Sequence, residues 1–67
     1  MIYQDAKKAF KERKKIKAHG ILYEHINAII FRRHENIEVV QLELQDINTQ
    51  NSVTTVKMEN AEVEDET

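Results

Sequence analysis

The sequence predicts an α+β domain: one N-terminal helix packed on a three-stranded antiparallel meander, in the order α-β-β-β, with an acidic C-terminal tail. Three observations carry this expectation. Residues 5–18, DAKKAFKERKKIKA, space their apolar positions with a helical period. From Ile21 onward the pattern changes to alternation rich in β-branched residues. Two polar joins that contain asparagine, 34–36 and 48–52, then divide the remainder into strands over 22–33, 37–47 and 53–59. Residues 1–59 are read as a single small domain and 60–67 as a flexible acidic tail, in which Ala61 and Val63 offer one last apolar turn.

Within the helix, Asp5 is placed as N-cap and lysines crowd the last turns, where the helix dipole favours cations. Gly20 stands where a C-terminal stop belongs. At 100° per residue Ile2, Tyr3, Ala6, Ala9, Phe10 and Ile16 share one side, with Phe10 as the large central anchor. Arg13 and Lys17 interrupt that stripe, so the helix depends on the sheet beneath it.

Register follows from matching apolar positions across strands, because a slip of one residue turns every side chain to the other face. The best match sets Ile26 opposite Leu44, Ala28 opposite Leu42 and Ile30 opposite Val40. In the second hairpin it sets Leu44 opposite Val56, Leu42 opposite Met58 and Ile47 opposite Val53. It also opposes Arg32 to Glu38 and Glu43 to Lys57, two favourable charge pairs. One face then carries Ile26, Ala28, Ile30, Val40, Leu42, Leu44, Val56 and Met58. The other mixes Asn27, Gln41, Glu43, Gln45 and Lys57 with an apolar cluster of Ile29, Phe31 and Val39.

Size limits how such a domain holds together. The chain has 67 residues and no cysteine, which excludes disulfides and thiolate zinc sites. A domain near ~60 residues buries only about 60% of its unfolded surface. Such a core alone rarely supplies more than ~3–5 kcal/mol. Oligomerisation is the remedy left open, and one thin helix covers only one sheet face. A homodimer is therefore expected, with Ile29, Phe31 and Val39 at the self-contact.

Charge is distributed unevenly. Residues 1–35 carry nine Lys/Arg and four Asp/Glu, whereas residues 36–67 carry one Lys and eight Asp/Glu. Lys7, Lys8, Lys11, Lys14 and Lys15 fall within an arc of roughly 120° on the expected helix, and Arg32 and Arg33 extend it at the first hairpin. Lysines so arranged can track phosphates with salt-dependent affinity. Against that stand an overall pI near 5.9 and no aromatic residue within the arc to stack on bases. Nucleic-acid binding is thus the alternative to a protein–protein interaction or accessory module with an unnamed protein partner. A third reading is an inhibitor whose acidic half occupies a basic groove.

Nothing in the chain assembles a catalytic motif, so the expectation is a non-enzyme without cofactor or metal. His19, His25 and His34 lack metal-ligand spacing, and Ser52 has no neighbouring base. The longest wholly apolar run, Ala28–Phe31, is far short of a membrane span, and no apolar leader core follows Met1. A cytoplasmic location is expected. Abundant Lys, Ile and Asn with no Pro, Cys or Trp matches what an AT-rich bacterial or phage genome encodes.

Overall fold

The computed structural model describes residues 1–64. Helix α1 (Tyr3–Glu12) is followed by strands β1 (Ile16–Ala18), β2 (Ile21–His34), β3 (Ile37–Asp46) and β4 (Val53–Lys57). A single 3-10 turn, Met58–Asn60, then leads into strand β5 (Ala61–Val63). The α+β class and the single N-terminal helix hold. The sheet has five strands rather than three, all antiparallel, in the order β4-β3-β2-β1-β5.

The two added strands come from segments read otherwise. The helix stops at Glu12 because Arg13 turns into the left-handed region (φ 55°), where its N–H caps the carbonyls of Ala9 and Phe10. Lys14 N–H also returns to the Ala9 carbonyl at 3.0 Å. Ile16–Ala18 is then free to pair with Ile21–Tyr23 across a two-residue turn. Both turn residues have positive φ, His19 at 53° and Gly20 at 76°, the geometry that suits the twist of a tight hairpin. Gly20 therefore makes a hairpin and not a helix stop. On the far side of β1, Ala61 and Val63 oppose Ala18 and Ile16, which places the start of the expected tail in an edge strand. Residues 65–67, the rest of that tail, lie outside the described residues.

The register of β2 against β3 departs from the expected one in an instructive way. Ile26 does face Leu44, but beyond it Ala28 faces Glu43, Ile29 faces Leu42, Phe31 faces Val40 and Arg33 faces Glu38. Two irregularities, between Tyr23 and Ile26 and between Ile26 and Ala28, each insert one extra residue into β2. Each insertion flips the alternation. Tyr23, Ile26 and Ile29 consequently point to the same side at a spacing of three, and Ala28 and Ile30 move to the opposite face. Between β3 and β4 the slip is two residues, with Leu42 facing Val56 and Gln41 facing Lys57, so the faces are kept.

These bulges allow the sheet to curl. Lys57 and Ala61 lie on strands at opposite edges yet are four residues apart, a reach of at most about 14 Å. In a flat sheet four strand spacings would separate those edges by roughly 19 Å. The edges must therefore approach each other, and the sheet forms a partly open barrel in which β4 and β5 share no ladder. Its concave side holds the core: Ile16, Ala18, Tyr23, Ile26, Leu42, Leu44, Val56 and Ala61, closed by Ala6 and Ala9 of α1. Phe10, the expected anchor, is 42% exposed. Only alanines of the helix are buried, so its backbone lies close to the sheet. The Met1 ammonium donates to the carbonyls of Met58 (3.2 Å) and Ala61 (2.9 Å), tying the start of the helix to the turn between the barrel edges.

Candidate functional site

The second β2 bulge organises a polar cluster on the convex face. His25 Nε2 donates to Asn27 Oδ1 (2.9 Å), and Asn27 Nδ2 donates to Gln45 Oε1 (2.9 Å). The Gln45 amide nitrogen reaches the carbonyls of Gln50 (3.0 Å), Thr49 and Ser52 (both 3.2 Å). Every member of this cluster makes at least one hydrogen bond within the fold, and its last contacts are turn carbonyls. It is built to hold the β3–β4 turn to the bulge. His19 stands apart from it in the β1–β2 turn, and His34 at the far end of β2. Among the described residues, no three His, Asp or Glu side chains converge as a metal-binding group would require.

The three residues expected at a self-contact are not brought together. Ile29 is half-buried against the core, and Phe31 shares its face, 55% exposed. Val39 faces Arg32 on the convex side. Here the same bulge is responsible, since it reverses the facing of β2 beyond Asn27.

Val39 belongs instead to a free strand edge. β4 pairs with residues 41–45 of β3 only, because the chain leaves the sheet at Met58. Among the described residues, Ile37–Val40 therefore have no partner strand on the β4 side. A shallow hollow runs beside them, walled by Lys57, Met58 and Glu59. Ile37 is 65% exposed at the tip, and Val39 and Val40 are half-buried. The hairpin joining β2 to β3 turns at Glu35, whose φ of 57° is strained for a residue with a Cβ.

The basic residues also separate. Lys7, Lys8 and Lys11 remain exposed on α1. Lys14 and Lys15 follow the end of the helix. Lys14 pairs with Glu12 at 3.8 Å, and the Lys15 carbonyl accepts from Glu64 N–H. Arg32 points to the convex face and donates through Nε to Gln41 Oε1 (2.7 Å). Arg33 lies on the helix side with Phe31. Most informative is a contact with no signal in the sequence: the rings of Tyr3 and Phe31 meet edge to face, with centroids 5.5 Å apart. Twenty-eight residues separate them, and a bulge decides which way Phe31 faces, so pattern alone could not find the pair.

Among the described residues no helix is long and apolar enough to cross a membrane. Compared with known proteins, the chain matches no family model, no curated protein and no solved structure, so its chemistry rests on its own residues.

Proposed function

We propose that this chain is a non-enzymatic interaction module that self-associates through the free edge of β3. One observation carries the reading: the segment Ile37-Glu38-Val39-Val40 presents unpaired strand backbone beside an open hollow, with β-branched side chains at three of its four positions. Such an edge is a template for strand addition unless a fold blunts it with charged side chains, proline or a bulge. No proline or bulge interrupts residues 37–40, and Glu38 is the single charged residue among them.

A second copy of the chain fits this edge by symmetry. Two-fold antiparallel pairing is self-complementary, the commonest arrangement for homodimers. Centring the pair on Val39 avoids setting Glu38 against Glu38, which like-charge repulsion would penalise. The dimer would also relieve the marginal core of a chain this short. Of the three residues expected at a self-contact, Val39 is retained, whereas Ile29 and Phe31 face the other side.

Sedimentation velocity across a micromolar concentration series tests this. Wild type is expected near twice the monomer mass at the upper end. Ile37→Lys with Val39→Lys, two changes at exposed or half-buried sites, is expected to return it to monomer with its circular dichroism preserved. A wild type that stays monomeric throughout rules the reading out.

A further inference from the structure

The two flanks of α1 differ in chemistry. Viewed down the axis at 100° per residue, Phe10 lies about 20° from Tyr3, with Lys7 and Lys11 following at about 40° and 80° on the side away from the core. Asp5 and Glu12 fall about 160–180° away. There they line a groove with Met1 and with Glu62 of β5. The acidic side chains of the helix thus lie on the β5 flank. The flank that meets the distal half of β2 carries Tyr3, Phe10, Lys7 and Lys11, and Glu12 reaches only the margin of the hollow beside those lysines.

On that flank Phe31 rises from the sheet to meet Tyr3, and Arg33 sits two residues further along the same face of β2. Tyr3, Phe10 and Phe31 are 43%, 42% and 55% exposed, an unusual investment of aromatic surface in a chain with four aromatic residues. Arg33 and Phe31 border one hollow together with Arg32 and Glu38, and Lys7 and Lys11 border another with Gln4, Lys8 and Glu12. Among the described residues, Lys7, Lys11 and Arg33 are in no ion pair, although Arg33 stands across the ladder from Glu38.

We infer that this flank is a binding site for single-stranded nucleic acid, with Tyr3, Phe31 and Phe10 stacking on bases and Lys7, Lys11 and Arg33 holding phosphates. Exposed rings interleaved with cations are what an unpaired strand needs, because every base has a face to stack and every linkage a charge to neutralise. A duplex keeps its bases stacked inside and gives the rings nothing to hold. An acidic protein would use the lysines but has no general need of a row of bare rings. The expected set of Lys7, Lys8, Lys11, Lys14, Lys15, Arg32 and Arg33 is thereby narrowed. Lys14 lies on the acidic flank, Lys8 stands between that flank and the hollow of Lys7 and Lys11, and Arg32 is on the convex face.

Fluorescence anisotropy with short labelled single-stranded RNA and DNA of mixed sequence, and with the matching duplexes, tests the site in the full chain. Single strands are expected to bind more tightly than duplexes. Tyr3→Leu and Phe31→Leu, apolar changes at exposed positions, should each weaken binding about 5- to 100-fold. Lys7→Gln with Lys11→Gln should flatten the salt dependence by about 0.7 per lysine in the log–log slope. Lys17→Gln, which removes one charge at an exposed position of β1 away from this flank, should leave it unaltered. Circular dichroism of each variant separates lost binding from lost fold. No binding near physiological salt, equal binding of duplex, or folded leucine variants that bind like wild type would overturn the inference. So would leucine variants that alter the sedimentation mass while leaving oligonucleotide binding untouched, which would assign the rings to a protein contact.

Discussion

Asn27 donates to Gln45 across the β2–β3 ladder at 2.9 Å, and through that bond the bulge in β2 is tied to the turn that follows β3. Gln45 is read from sequence as an ordinary polar residue of the mixed face. In the fold its side chain joins Asn27 to three turn carbonyls, so it supports two irregular backbone segments together. Gln45→Ala removes all of these partners at once. With a typical net worth near 1 kcal/mol per hydrogen bond, and shared donors here, it should cost about 1–2 kcal/mol in urea unfolding. Glu43→Ala, two residues away on the same face, should stay within about 0.5 kcal/mol.

Facing is tested by a pair of neighbours. Strict alternation would put Ile30 in the core and Ile29 outside, whereas the bulges reverse them. Ile29→Ala should therefore destabilise more than Ile30→Ala. Leu42→Ala and Leu44→Ala, both at fully buried positions, should exceed either, at about 2–5 kcal/mol each. Equal losses at Ile29 and Ile30 would contradict the observed register.

The parts of this fold that were legible follow from local rules, and the parts that were not follow from irregular backbone. Helix and strand types were readable because apolar spacing changes period near Gly20. Leu42, Leu44 and Val56 were identified as core because β3 and β4 alternate without interruption. The end of α1 was not readable, since Arg13 adopts a left-handed cap without being glycine or asparagine. Nor was β5, three residues in an acidic run whose pairing partner lies far back at Ile16–Ala18. The lysines of the candidate nucleic-acid surface were visible in sequence. The rings beside them were also visible, but their neighbourhood depends on where the chain inserts extra residues in β2.

Backbone conformation at the β1–β2 hairpin gives another test. A Cβ at Gly20 would meet no atom within 4 Å, so replacement by alanine introduces no clash. Any loss must come from the positive φ of 76°. Gly20→Ala should cost about 1 kcal/mol, or roughly 4–8 °C in melting temperature for a chain of this size. Gly20→Asn should cost less, because asparagine tolerates that conformation. Equal effects would mean that the turn relaxes out of the left-handed region.

The close seating of α1 reverses the weights its residues carry in sequence. Phe10 appears as the anchor by size, yet Ala6 and Ala9 are the helix residues at 0% and 2% exposure, against Ile16, Tyr23 and Ile26 in the same cluster. A helix that buries only methyl groups leaves no room for a larger side chain. Ala6→Leu, at the fully buried position, should therefore force the helix away from the sheet, at about 1–3 kcal/mol of overpacking strain. Phe10→Ala removes a ring that keeps 42% of its surface in water, so it should forfeit well under the 3–5 kcal/mol of a buried phenylalanine. Chemical denaturation of the two variants measures the order directly, and amide exchange across Tyr3–Glu12 shows whether the loss is local to α1. If Phe10→Ala proves the more damaging change, the helix is anchored by its aromatic shoulder and the alanine contact is secondary.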